Sequence, residues 1–154
     1  MSEPDERPPS FMVKGQYIKD LSFENPNAPH SLAVLETRPS IDVRVDLRAQ
    51  KLQEEFYEVQ LAVNSRATLE GATLFLVELV YAGVFEVVNV PADRLEALLW
   101  VECPFVLFPF ARRVVADVTR DGGFPPLMLD PIDFHALYMQ QRAKKSQEAE
   151  QQQA

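Results

Sequence analysis

The sequence predicts an α+β fold, a four-stranded antiparallel sheet followed by two to three helices. Apolar and polar residues alternate with a period of two through much of residues 11–90, and after Pro91 the apolar spacing changes to three and four. The turn-forming pair Glu70-Gly71 sits between two alternating runs, which joins neighbouring strands tightly and sets them antiparallel.

The first strand starts near Phe11 and ends near Glu24. Phe11, Val13, Tyr17, Leu21 and Phe23 hold odd positions, while Lys14, Gln16, Asp20, Ser22 and Glu24 hold even ones. Met12, Ile18 and Lys19 break the alternation, and Gly15 marks a bulge or a close backbone approach. Asn25-Pro26-Asn27-Ala28-Pro29-His30 then interrupts regular structure, because proline lacks an N–H and restricts its predecessor. In Ile41–Arg48, Ile41, Val43, Val45 and Leu47 face one side, and Asp42, Arg44, Asp46 and Arg48 the other. Phe56–Leu69 alternates through Tyr57, Val59, Leu61 and Val63 and leads by Glu70-Gly71 into the long run Ala72–Val90.

Leu95, Leu98 and Leu99 outline a short amphipathic helix from about Ala92 to Glu102. A second helix runs to about Arg120. Pro104 could open it, but Pro109 would then lie in its interior at a cost of about 3 kcal/mol, so Pro109 is assigned to the first turn. Gly122-Gly123 supplies its stop. Asp130, before Pro131, is the expected N-cap of a third helix carrying Phe134, Leu137 and Tyr138 on one face. The ends are polar, so the reading is one domain over residues 10–141, with a disordered arm over 1–9 and a flexible tail over 142–154.

Composition excludes several classes. The chain has 154 residues, 15 Lys+Arg against 23 Asp+Glu, and a formal charge of -8. That balance argues against nucleic acid and suits basic or apolar partners. Cys103 is the single cysteine, so no internal disulfide is possible and a reducing, cytoplasmic setting fits. The N-terminus has no apolar core of a secretory signal, and Glu78, Glu86 and Asn89 interrupt the longest apolar run, which argues against membrane insertion.

Catalytic signals are scarce. His30 and His135 belong to no metal-binding spacing, and no cofactor motif follows a strand. Cys103 lies between Glu102 and Pro104, which offer nothing to lower its pKa. Glu78 lies inside an apolar strand and is either a base with a raised pKa or an ordinary charge on a wet strand face. These absences argue against an enzyme. Apolar residues are in excess: Phe105, Phe108 and Phe110 at the second helix, Phe124, Met128, Phe134 and Tyr138 near the third, and Leu32, Leu35 and Ile41 in or near the irregular segment. Composition is equally compatible with core and with an interface or groove.

Three stretches resemble one family. Tyr17-Ile18-Lys19-Asp20-Leu21-Ser22-Phe23-Glu24-Asn25-Pro26-Asn27-Ala28-Pro29-His30 is similar to the N-terminal signature of SecB, the bacterial protein-export chaperone family. Cys103-Pro104-Phe105-Val106-Leu107-Phe108-Pro109-Phe110-Ala111-Arg112 resembles its helix-opening motif. Gly123-Phe124-Pro125-Pro126-Leu127 and Asp130-Pro131-Ile132-Asp133-Phe134 resemble its connecting loop and last helix. The resemblance covers about Phe11 to Gln141 in the family's order and spacing. Tyr81-Ala82-Gly83 departs from a common Gln-Gly-Gly run, and Ser31–Ser40 is only loosely similar.

The resemblance implies a cytoplasmic, ATP-independent holdase without cofactor or metal, assembled as a homotetramer, a dimer of dimers. It implies that unfolded secretory precursor polypeptides are held for export and passed to the SecA motor ATPase. By motif match the SecA contacts are Asp20, Glu24, Leu76 and Glu78. The client groove is expected at Leu32, Leu35, Ile41, Phe124, Met128, Phe134, Leu137 and Tyr138. Phe105, Phe108, Phe110, Val114 and Val118 are expected at the oligomer interface. Two rivals are a SecB-like chaperone dedicated to one partner, such as a toxin–antitoxin pair, and a small-ligand binder with Glu78 as a buried base.

Overall fold

The alternating segments form four long strands: β1 (Ser10–Glu24), β2 (Ser40–Gln53), β3 (Phe56–Leu69) and β4 (Ala72–Val88). The computed structural model describes residues 4–34 and 37–153. The strands make one antiparallel sheet in the order β1-β4-β3-β2, so β1 and β2 are its edges. Glu70 and Gly71 both have positive φ, as a tight two-residue hairpin turn requires.

The period-two rule sorts the side chains. Val59, Leu61 and Val63 of β3 and Val77, Leu79 and Phe85 of β4 have no exposed surface and face the helices. Residues between them form the outer face. On β1 the pairing shifts between Val13 and Gly15 and again between Ile18 and Asp20. Two bulges therefore reverse the faces and restore them. Phe11 and Val13 pair with Val87 and Phe85, and Leu21 and Phe23 pair with Leu79 and Val77, all on the helix side. Tyr17 instead pairs with Ala82 on the outer face, which corrects its assignment to the same face as Phe11.

The helical half also departs from expectation. α1 (Ala92–Ala97) passes through a π segment (Leu98–Glu102) directly into α2 (Cys103–Asp121), with helical backbone angles at each junction. Pro104 occupies the first turn of α2 and Pro109 lies inside it, so placing Pro109 at the start was incorrect. The wide turn immediately before Pro104 makes room for its ring against preceding carbonyls. Pro109 and Phe105, four residues before it, are both exposed, so water can reach the carbonyl that Pro109 leaves without a donor. α2 crosses the sheet over β3 and β4. Gly83 permits the approach, since a Cβ there would stand 2.8 Å from Leu107 Cδ2.

α2 ends in a hydrogen-bonded turn. The Phe124 N–H donates to the Thr119 carbonyl at 3.1 Å and the Gly123 N–H to the Arg120 carbonyl at 3.0 Å, with Gly123 at φ 98. α3 (Phe134–Gln153) follows an irregular stretch. Its cap is Asp133 rather than Asp130, because Asp133 Oδ1 accepts the Ala136 N–H at 3.0 Å. Residues 142–153 continue α3 as helix. Their Ala, Lys, Gln and Glu content favours helix intrinsically, and side chains 142–152 are all exposed. Part of the N-terminal arm is also placed: Asn89 Nδ2 donates to the carbonyls of Asp5 and Arg7, and Arg7 pairs with Glu55. No described helix is long and apolar enough to cross a membrane.

Candidate functional site

Two surfaces gather the residues singled out by sequence, one on each side of the sheet. The first is a groove beside β2. Beyond the Gly122-Gly123 turn, residues 124–133 run without regular structure past the start of β2. Phe124 anchors this wall, buried against Phe75 with ring centroids 5.0 Å apart and Phe23 at 6.4 Å. Gly122 is required here, because a Cβ would lie 2.2 Å from the Phe23 ring. Thr119 ties the wall to α2: its Oγ1 accepts the Leu127 N–H at 2.9 Å and donates back to the Val115 carbonyl at 2.8 Å.

Two adjoining depressions result. One of about 160 Å³ is lined by Pro39, Ile41, Leu74, Phe75, Phe124 and Leu127, among others. The next, of about 450 Å³, is lined by Ile41, Val43 and residues 127–132. Ile41 and Leu127 border both, so the two form one continuous trough. Ile41 is 43% exposed, Val43 44% and Met128 54%. Leu32, on a short 3-10 turn (His30–Val34), is exposed beside Gly123. Apolar side chains that remain wet in this way form a surface suited to apolar side chains from another chain.

The expected groove residues therefore divide. Ile41, Phe124 and Met128 line the trough and Leu32 stands beside it. Leu35 lies outside the described residues. Phe134 and Tyr138 are buried and Leu137 is half-buried on α3, and none of the three lines either depression. Phe134 packs edge-on against Phe108, 6.1 Å between centroids, so both belong to the core. Phe108, expected at the oligomer interface, is thus buried within this chain. Phe105 is 68% exposed, Phe110 is exposed and stacks on Tyr81 at 6.3 Å, and Val114 and Val118 are half-buried. Val43, Leu74 and Leu127 were missed. Val43 shares the face of Ile41 two residues on, which was a readable signal. The burial of Leu74 depends on a register shift between Ala67 and Thr68 that the alternation does not announce.

The second surface is the outer sheet face. Ser22 pairs with Glu78 and Glu24 with Leu76, while Asp20 lies opposite Val80. Asp20, Glu24, Leu76 and Glu78 thus share one face across the β1–β4 seam. Asp20, Glu24 and Glu78 are exposed and Leu76 is half-buried. An exposed Glu78 removes the reading in which it is a buried base. Further along the same face Glu58 is buried, accepting hydrogen bonds from the Tyr17 hydroxyl, from Lys19 at 2.9 Å and from Gln60 at 2.7 Å. The Tyr17 bond foremost holds its carboxyl below the usual range, while burial and then Glu58 push the Tyr17 hydroxyl up to about 12.

Nucleophile chemistry finds little support. Cys103 is buried, and desolvation first and Glu102 second push its thiol up to about 12. No group of three or more His, Cys, Asp or Glu side chains among the described residues could hold a metal ion.

Comparison with known proteins agrees with this geometry. The SecB family model, described as preprotein translocase subunit SecB, matches residues 4–145. The Protein-export protein SecB of Parvibaculum lavamentivorans is 58% identical over 86% of this chain and 79% of its own length. That of Rhodopseudomonas palustris strain TIE-1 is 49% identical over 96% of this chain and 94% of its own. Among solved structures, a SecB-like chaperone of Mycobacterium tuberculosis in complex with an antitoxin peptide superposes with a TM-score of 0.66. It is 15% identical, covers 79% of this chain and 90% of its own, and supports the fold. With one groove, one acidic sheet face and a family match over nearly its whole length, the chain belongs to the SecB family of cytoplasmic, non-enzymatic protein-export chaperones.

Proposed function

We propose that this chain works as a dimer of dimers, takes unfolded precursor polypeptides into the trough beside β2, and passes them to the SecA motor through the outer face of the sheet. The carrying observation is the opposition of the two surfaces. A wet apolar trough opens on the helix side of β2, and an acidic seam with Leu76 at its edge lies on the other side of the sheet. A client held in the trough leaves the motor surface free.

The chemistry of each surface suits its role. Unfolded chains expose aliphatic and aromatic side chains, and many weak contacts along a trough raise avidity by about 10²–10⁴ without a sequence code. Met128 adapts to varied side chains because its thioether is flexible and polarizable. Asp20, Glu24 and Glu78 favour a basic docking element, with Leu76 as an apolar contact beside them. For assembly, β1 is an edge strand that carries exposed Ile18 and Leu21, and α2 carries the exposed rings of Phe105 and Phe110, so both offer surface to further copies. Export is favoured over a dedicated partner because relatives at 49% and 58% identity are export proteins, while the antitoxin-bound chaperone shares only the fold.

The test is refolding of a slow-folding, chemically unfolded protein with no nucleotide present. Arrest near one tetramer per client supports the holdase reading, and refolding untouched across several clients removes it. In parallel, Asp20→Lys with Glu78→Lys is expected to abolish SecA association without relieving the arrest.

A further inference from the structure

The outer face carries a second pattern that extends beyond the acidic seam. Across the four strands, the row through Glu78 runs Ser22, Glu78, Asn64, Arg44, and the next runs Glu24, Leu76, Arg66, Asp42. Carboxylates hold the β1–β4 half, while the guanidinium groups of Arg66 and Arg44 stand on β3 and β2 with the carboxylate of Asp42 beside them. A depression of about 500 Å³ joins the halves, lined by Asp42, Arg44, Asn64 and Arg66 together with Leu76 and Glu78, among others.

Two observations mark these arginines as available. The lysines of the same face are engaged, Lys14 with Glu86 and Lys19 with Glu58, both at 2.9 Å. Among the described residues, Arg44 and Arg66 form no ion pair and donate no side-chain hydrogen bond, although Asp42 sits directly opposite Arg66 in the ladder. Both are exposed. Two guanidinium groups with a carboxamide between them present donors in the fork arrangement that carboxylates accept.

Building on the reading of this face as the motor-docking surface, we propose that Arg44 and Arg66 are its second half and take carboxylates of the same motor that presents cations to Asp20, Glu24 and Glu78. Neighbouring strands lie about 4.8 Å apart, so β4 and β2 are separated by about 10 Å. A single docking element can therefore span both halves, with basic groups over β1–β4 and acidic groups over β3–β2. Such an arrangement selects its partner by sign: a uniformly basic surface meets repulsion over Arg44 and Arg66, and a uniformly acidic one over Glu78.

Charge reversal decides the matter, because the alternative predicts the opposite sign. If the arginines only screen Asp42 and Glu78 on their own face, Arg44→Glu with Arg66→Glu makes the face more acidic and tightens a basic partner. If they bind carboxylates, the same change weakens association by about tenfold or more, and Arg44→Gln with Arg66→Gln weakens it less. The experiment is calorimetric titration of the full-length chain with purified SecA, with Glu78→Lys alongside and arrest of an unfolded client as the check that the fold is intact. Unchanged or tighter SecA binding by the double reversal overturns the proposal. A silent Glu78→Lys together with a weakening arginine reversal removes the acidic-seam reading and keeps the arginine contact. If both are silent, the outer face is not the docking surface and both readings fall.

Discussion

On β4, Val77, Leu79 and Phe85 expose no surface, while Leu76, Glu78 and Val80, interleaved with them, face the other way and reach water. The same strand and the same hydrogen-bond ladder support both sets, so backbone geometry does not distinguish them. What differs is the constraint. On the helix side each residue is fixed by α2 and its neighbours, whereas on the outer face the protein itself fixes little, and residue choice is free to serve another molecule. The largest expected consequence is in stability. Leu79→Ala should lower the unfolding free energy by about 2–5 kcal/mol, because the lost transfer energy is joined by a cavity under α2. Val80→Ala, one residue on and half-buried, should cost well under half as much. Equal losses in chemical denaturation would mean that the outer face is packed against something and would break the comparison.

The trough wall sharpens the same contrast with a polar group. Thr119 is fully buried, and its hydroxyl is the acceptor for the Leu127 N–H. Thr119→Val keeps the shape and removes the acceptor, leaving a backbone donor unpaired at a cost of about 1–3 kcal/mol. Hydrogen exchange should speed most at the Leu127 amide, and the client should be held less firmly. Exchange unchanged at Leu127 would mean that the wall is held by Phe124 and Leu129 alone.

How legible these surfaces were follows from the same physics. Alternation gave the four strands, and with them the sharing of a face by Asp20 and Glu24, because a period of two is a direct readout of burial on one side. It misled at Tyr17, because the bulge between Val13 and Gly15 reverses the faces and the one between Ile18 and Asp20 restores them, so Phe11 and Phe23 stay in phase and hide the reversal between them. Proline rules misplaced the start of α2: the rule weighs Pro109 as if its carbonyl partner were buried, and here that side is wet. Phe134 and Tyr138 read equally well as groove or core, because only the position of α3 against the π segment and α2 decides between them. Arg44 and Arg66 were visible as polar positions, but their nearness to Glu78 required the register across three strands.

Glu58 is a buried carboxylate on the outer face, 7% exposed. Its folded pKa is lowered, so it contributes stability that is present above the ordinary value of about 4.3 and lost as pH falls through the lowered folded value. Stability followed from pH 7 to pH 3 should therefore decline more steeply in the native chain than in Glu58→Gln, which cannot titrate there. Tyr17→Phe removes the foremost cause of the lowering and should move the decline to higher pH. Parallel curves for native chain and Glu58→Gln would show that the cluster does not couple protonation to folding.

The smallest effect on stability should accompany a large effect on function. Ile41 and Met128 line the trough yet keep about half their surface wet. Replacing both with serine removes little that is buried, so each change should lie within about 0.5 kcal/mol by denaturation. A holdase that binds by many weak apolar contacts loses affinity as a product over those contacts, so the concentration needed to arrest refolding should rise several-fold. Phe134→Ala is the matched opposite: it opens the core against Phe108 and should cost about 3–5 kcal/mol while leaving the trough surface in place wherever the chain remains folded. If the serine pair arrests refolding as well as the native chain does, clients do not use this trough. The remaining exposed apolar surface, at Phe105 and Phe110 on α2 and Ile18 and Leu21 on β1, would then be where to look for the client contact.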